Sequence, residues 1–329
     1  MKVLSLFDGI SCGRLAFERA GIPVEKYYAS EIDKYAIAVA QKNYPDTIQI
    51  GDVNNINWAD YGDSVDIIIG GSPCQDLSIA KQNREGLHGA RSGLFWKYVE
   101  ALEVIKPKYF LLENVASMRN EDRDAITATL KKIYPETECI MINSALVSAQ
   151  QRKRYYWTNW HVEQPDDKGI LLKDILESNT SESVGIDNYF RKYGTKGKIM
   201  SDGTEKTQCL TASMGCGGGN NPLIAEPVRI GELDGLGKGQ ANRIYSVRGK
   251  SVCLNANGGG GGAKTGLYKV DLPDGDYIIR KLTPVECERL QTLPDGWTGG
   301  VSNTQRYKAI GNGWTVDVIA HILKGVADA

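Results

Sequence analysis

The chain has 329 residues, 41% of them hydrophobic and 24% charged, with a net charge of −1. That suffices for one large globular domain, or one with a smaller companion, and no apolar run approaches the roughly 20 residues a membrane helix needs. Seven scattered cysteines with no C-x-x-C pair, and three histidines (His88, His161 and His321) away from any cysteine cluster, argue against a zinc site and against a disulfide framework. With an apolar start too short for a signal peptide, the expectation is a cytoplasmic protein with no metal and no membrane partner.

The first 160 or so residues alternate strand-like and helical patterns, which predicts a parallel sheet with crossover helices. Strands are expected at Val3–Phe7, Tyr27–Ser30, Val65–Ile69 and Tyr109–Leu112. Helices are expected at Cys12–Ala20 (capped by Gly21), Asp33–Asn43, Ser92–Ile105 and Glu121–Ile133. Glu138–Asn143 and Tyr155–Trp160 read as a closing pair of strands.

From about Trp160 to Lys281 the composition turns to Gly, Asn, Ser and Lys, with short β-like pieces and no long helix. Asn188 to Lys281 carries fourteen Lys/Arg against eight Asp/Glu, a basic segment on an acidic body, as a localised phosphate-binding face would be. An internal repeat lies here: Cys209–Ile224 (CLTASMGCGGGNNPLI) aligns without gaps on Cys253–Tyr268 (CLNANGGGGGAKTGLY). It is read either as two related hairpins joined by flexible glycine loops, or simple low complexity, or as a nucleic-acid contact surface. Helical periodicity returns at Thr283-Pro284, with Glu286 completing a capping box. A final helix after Gly311-Asn312-Gly313 sets Val316, Ile319, Ala320 and Leu323 on one face.

Chemistry-bearing residues gather at strand ends. The first strand runs into Phe7-Asp8-Gly9 and a helix containing Gly13, a turn that lets a ligand approach the backbone without the G-x-G-x-x-G of a dinucleotide site. Glu31 and Ile32 follow the second strand, and Asp52 and Val53 lie in IGDV, read as a further strand end. Either acid alone reads better as a helix cap; together with the glycine turn they favour an adenosine-containing cofactor without a pyrophosphate. Gly70-Gly71 then turns a buried strand outward to Pro73-Cys74, where a rigid backbone exposes a nucleophile candidate. Glu113, carried by the next apolar strand, is a candidate general acid. Arg152 and Arg154 are candidates for holding an anion or a base carbonyl.

Six blocks together resemble the DNA (cytosine-5) methyltransferases over almost the whole chain: FDGISCG, GSPCQDLS, ENV, QQRKR, RKLTPVECERLQ and YKAIGNGWTV, in family order with a variable segment before the last two. The first block, SPCQDLSI and the tryptophan of GNGW are similar to the vertebrate de novo enzymes. Nothing resembles their chromatin-reading domains, so a bacterial or phage stand-alone enzyme is expected. The resemblance implies an α/β fold with a doubly wound, mostly parallel, Rossmann-like sheet over residues 1–165. It adds a β-rich target-recognition domain over 166–281 and a C-terminal return over 282–329.

It also implies that Phe7, Asp8, Gly9, Gly13, Glu31, Ile32, Asp52, Val53, Pro73, Asn312 and Trp314 line a pocket for S-adenosyl-L-methionine. In that reading Cys74 attacks C6 of a cytosine flipped out of double-stranded DNA, Glu113 engages N3, and Arg152 and Arg154 position the base. The loop from Gln75 to Gly89 is expected to close over the base. The role expected is restriction–modification or phage self-protection, with a monomer as the default state and a cognate restriction endonuclease as a candidate partner. The alternatives are an RNA (tRNA) cytosine-5 methyltransferase and a non-catalytic DNA-binding protein on the same fold.

Overall fold

A computed structural model of the chain describes residues 1–62, 64–72, 93–177, 197–199, 229–233, 243–254, 267–271, 277–280 and 282–327. Seven strands form the main sheet: β1 (Lys2–Leu6), β2 (Lys26–Ser30), β3 (Ile48–Gln49), β4 (Ile67–Gly70), β5 (Tyr109–Val115), β6 (Glu138–Asn143) and β7 (Lys153–Thr158). Their order is β3-β2-β1-β4-β5-β7-β6, and β7 alone runs against its neighbours. The central strands read as unbroken apolar runs because helices cover both of their faces: Ile67, Ile68 and Ile69 have no exposed surface. Each such side chain contributes roughly 1.5–3 kcal/mol by leaving water.

The two faces build separate cores. On one, Val3, Ile67, Ile69 and Leu111 pack with α1 (Cys12–Arg19), α2 (Lys34–Asn43) and α7 (Val316–Ala327). On the other, Leu4, Leu6, Ile68, Phe110 and Leu112 pack with α3 (Gly93–Ile105) and α4 (Asn120–Ile133). The cap expected at Gly21 is a Schellman motif: φ is 72°, and the N–H groups of Gly21 and Ile22 donate to Glu18 and Phe17.

Element boundaries differ from expectation where the site lies. Phe7 leaves β1 with φ of 60°, a left-handed conformation no strand residue adopts. Strand β5 runs on through Glu113 to Val115, and β7 starts at Lys153, so Arg154 lies inside the sheet. A helix the sequence reading missed, α6 (Asn303–Asn312), ends in the Gly311-Asn312 turn; its sparse apolar residues present no clear stripe.

The variable segment contributes a second sheet, β8 (Gly197–Ile199), β9 (Arg229–Leu233), β10 (Arg243–Ser246), β11 (Leu267–Asp271) and β12 (Tyr277–Arg280), in the order β12-β11-β10-β9-β8. Its Tyr245, Tyr268, Val247 and Leu254 share a third core with Ala149, Leu172, Ile310 and α5 (Pro284–Leu290). Helix α5 carries the expected capping box, Thr283 and Glu286 bonding reciprocally. The repeat Cys209–Ile224 lies outside the described residues, as do residues 255–266 of its second copy.

Lys250 fastens this sheet to the body. Its ammonium is buried and donates to the carbonyls of Ala145 (2.8 Å), Ser148 (3.1 Å) and Ile170. Next to it, Ser251 pairs with Gln150 and exchanges backbone bonds with Ala149 and Gln151. Replacing Lys250 by Ala strands three carbonyls in a dry joint, so Lys250→Ala is expected to lower stability to urea by about 2–4 kcal/mol. A loss below about 0.5 kcal/mol would show that the joint carries no such load.

Candidate active site

One cavity of about 410 Å³ opens at the carboxyl edge of β1, β2, β4 and β5, within the size range of small-molecule sites. Its floor is the β1–α1 turn, where Phe7, Gly9 and Ser11 all take positive φ (60°, 62° and 57°). The two non-glycine residues each store about 1–3 kcal/mol of strain, a cost met by the bonds that fix the turn. Asp8 supplies two of them, accepting from the Ser11 hydroxyl (2.5 Å) and the Tyr27 hydroxyl (2.7 Å). Burial raises the pKa of Asp8 above the ordinary carboxyl value, against the opposing hydrogen bonds.

Glu31 supplies the third. One oxygen accepts from the Gly9 N–H (2.8 Å) and the other from Ile32 and Asp33, which ties the turn after β2 to the turn after β1. A carboxylate has about four acceptor positions, so roughly one remains for a ligand. Asp52 caps a short 3₁₀ turn through Oδ1, which accepts from the backbone and side chain of Asn54, and leaves Oδ2 as an acceptor at the cavity. Ile32 lies on the rim with 73% of its surface exposed, an apolar platform suited to a flat ring.

The opposite wall carries the reactive groups. Glu113 is buried; its Oε1 pairs with Arg154 Nε at 2.9 Å and its Oε2 accepts from Trp314 Nε1 at 3.1 Å. Sheet register explains the first contact: β5 and β7 pair Val115 with Arg154, so Glu113, two residues away, lies diagonally on the same face. Gly71 leaves room for the second, since a Cβ there would stand 2.8 Å from Glu113 Oε2 and 2.9 Å from Trp314 Nε1. Next to Glu113, Asn114 donates to the Ser72 hydroxyl, linking β5 to the chain leaving β4.

Arg152 is spent otherwise. It is buried; one terminal nitrogen donates to Cys253 Sγ and the Leu254 carbonyl, the other to the carbonyls of Gly311 and Gly313. Only Nε–H is left, so the side chain clamps the second sheet and the C-terminal return onto β7. Burial raises the Cys253 thiol, but the charges and N–H bonds of Arg152 and Arg154 outweigh it and bring its pKa below the usual value. Burial pushes Cys12, also on the cavity wall, up to about 12, which keeps it a neutral thiol.

Of the residues singled out in the sequence, the cavity brings together Phe7, Asp8, Gly9, Glu31, Ile32, Asp52, Val53, Glu113, Arg152, Arg154, Asn312 and Trp314. Gly13 does not line it: the residue sits beneath, where a Cβ would meet Ile69 at 2.5 Å and Tyr27 at 3.2 Å. Pro73, Cys74 and the loop Gln75–Gly89 lie outside the described residues. Sequence reasoning missed the Trp314–Glu113 bond, the clamp made by Arg152, and the α6 residues Gln305 and Lys308 on the wall. The Q-x-R-x-R spacing carried a signal for two arginines on one face of a strand, but none for which of them faces backbone.

The sheet order and the cavity at its carboxyl edge are those of a Rossmann-like methyltransferase. The fold matches the Entamoeba histolytica methyltransferase EhMeth with a TM-score of 0.70 at 16% identity, covering 100% of this chain and 98% of that one. It matches the S. pombe Dnmt2 methyltransferase with a TM-score of 0.67 at 15% identity, covering 100% and 98%. In sequence, the chain is 28% identical to the type II methyltransferase M.HhaI of Haemophilus parahaemolyticus, covering 100% of this chain and 95% of that protein. It is 29% identical to M.NlaX of Neisseria lactamica, covering 98% and 94%, and 26% identical to the orphan methyltransferase M.SPRI of Bacillus phage SPR, covering 98% and 97%. The family model of the C-5 cytosine-specific DNA methylases matches residues 1–327, and the chain belongs to that family.

Among the described residues no group of three or more His, Cys, Asp or Glu is placed to hold a metal ion, and no helix is long and apolar enough to cross a membrane. The clamp is testable. A lysine at position 152 offers three donors on one atom and cannot reach acceptors on both sides, so Arg152→Lys is expected to cost about 2–4 kcal/mol in urea unfolding. Wild-type stability in that variant would mean that the guanidinium fork is dispensable.

Proposed function

We propose that the protein methylates C5 of a flipped-out cytosine within a specific sequence of double-stranded DNA, with S-adenosyl-L-methionine as methyl donor and Cys74 as nucleophile. The observation that carries this reading is Glu113 held between Arg154 and Trp314 on the wall of the cavity. In a chain of this family such a carboxyl is sited to meet the edge of a base. The donor set of the cavity suits an adenosine: Glu31 for ribose hydroxyls, Asp52 for an exocyclic amine, Ile32 for the ring face. The donor supplies an electrophilic methyl group on a sulfonium.

Cytosine C5 is a poor nucleophile. Addition of the Cys74 thiolate to C6 forms an S–C bond and pushes the ring electrons toward N3 and C5, and Glu113, having first taken a proton from solvent, delivers it to N3 so that the charge there is met. Arg154 orients Glu113 through its Nε–H and sets a positive charge beside the carbonyl edge of the base. Once C5 carries the methyl group, a base takes its proton, the C5–C6 double bond re-forms and Cys74 leaves as thiolate. Arg152, with one N–H left, acts in this scheme on the architecture of the site rather than on the base. Flipping the base costs roughly a few kcal/mol, met by contacts that we assign to the target-recognition domain of residues 166–281 and to closure of the Gln75–Gly89 loop. The protein would act as a monomer in the cytoplasm, alone or with a restriction endonuclease.

Expression beside Cys74→Ser in a host lacking cytosine methylation, with 5-methylcytosine mapped in DNA and RNA, tests the reading. Marks at one short recurring DNA sequence, absent with the serine form, are expected. Marks confined to RNA, or none from soluble protein, would overturn it. For the donor pocket, Asp52→Asn keeps the cap oxygen and converts the second acceptor to a donor. It is expected to weaken S-adenosyl-L-methionine binding about tenfold, or 1.4 kcal/mol, with little change in melting temperature; unchanged affinity in calorimetry would remove Asp52 from the pocket.

A further inference from the structure

Trp314 stands where two functions meet. Its ring walls the cavity on the side of the donor pocket, near Asn312 and the β1–α1 turn. Its indole N–H, a donor with no acceptor capacity, is bonded to Oε2 of Glu113. The other carboxyl oxygen is held by Arg154, so rotation of Glu113 about its last torsion is blocked from both ends. A tryptophan ring cannot shift without shifting its N–H, and the ring is itself fixed: a Cβ at Gly13 would lie 3.4 Å from its edge, and the Gly313 carbonyl before it is tied down by Arg152 and Gln291. Gly71 is bare where any side chain would wedge between indole and carboxyl.

We infer that Trp314 is a positioning residue for the methyl-transfer step: through one hydrogen bond it sets the orientation of Glu113 and links it to the wall that the methyl donor touches. The inference rests on the function proposed above and adds a role for an indole N–H that pocket lining alone does not require. Filling of the donor pocket braces the indole, and the braced indole holds the carboxyl toward the base. Packing of the ring and donation by its N–H are then separable, which makes the inference testable.

Trp314→Phe keeps an aromatic wall and removes the N–H. Expected is a fall in kcat of about tenfold, with the dissociation constant of S-adenosyl-L-homocysteine, measured calorimetrically, within about twofold of wild type and a retained cooperative thermal transition. Gly71→Ala, which crowds the same bond from the backbone, is expected to reproduce that split, and the double variant to be no slower than the slower single one. A purely structural tryptophan would lower binding and turnover together or leave both unchanged, and either result overturns the inference. If Trp314→Phe does not fold, Gly71→Ala decides alone by the same two readouts. Activity of the wild type on DNA is measured alongside; its absence counts against the proposed function, whereas an active wild type with an equally fast Trp314→Phe counts against the role of the indole.

Discussion

The pairing of β7 between β5 and β6, antiparallel to both, is the constraint from which the site follows. Residues alternate faces along an extended chain, so Arg152 and Arg154 point the same way and Lys153 points out. The register then sets Arg154 diagonally beside Glu113. A parallel strand in that place would reverse the order of the two arginines relative to the cavity. The pair is mostly buried, with 15% and 11% of the side chains exposed, so losing one partner strands a charge at a cost of about 3–5 kcal/mol. The ion pair thus fixes a geometry more than it adds stability.

The second consequence of that strand is architectural. Three stretches far apart in sequence converge just ahead of β7: residues 143–152, the segment 250–254 after β10, and the return at 290–315. Arg152 donates to carbonyls of the last two, and Gln150 and Gln291 extend the network to Leu254, Leu290, Ile310 and Thr315. Buried amides and a guanidinium group, most of whose bonds are directed at backbone, specify one relative placement of these pieces, which greasy contact alone does not. The cavity is therefore bounded by the body on one side and by the C-terminal return on the other. The second sheet is held at their junction.

Much of this was legible in the sequence. Alternating apolar runs announced the parallel sheet, because strands covered on both faces have no polar alternation to lose. The capping box at Thr283–Glu286 and the Schellman glycine at Gly21 were readable because their chemistry is local. The acids Glu31 and Asp52 could be placed at the cavity from their positions after strands. What could not be read was non-local. Whether an arginine in Q-x-R-x-R faces a carboxylate or a set of carbonyls depends on distant chain, Glu113 for Arg154 and Leu254, Gly311 and Gly313 for Arg152. Helix α6 escaped because its apolar positions are few, and Gly13 looked like a ligand-approach glycine although its bareness serves Ile69 and Tyr27.

The central claim is that this cavity performs covalent cytosine methylation, with the nucleophile at Cys74 and Glu113 at the base. Its most direct test is a duplex in which the target cytosine carries fluorine at C5, incubated with S-adenosyl-L-methionine and the wild-type chain. The final proton loss is impossible there, so the sulfur–carbon bond persists. One chain per duplex is expected by intact mass, with the adduct mapped by peptide sequencing to Cys74. Efficient methylation of ordinary DNA without any trapped complex, or an adduct on another residue such as Cys253, would contradict it.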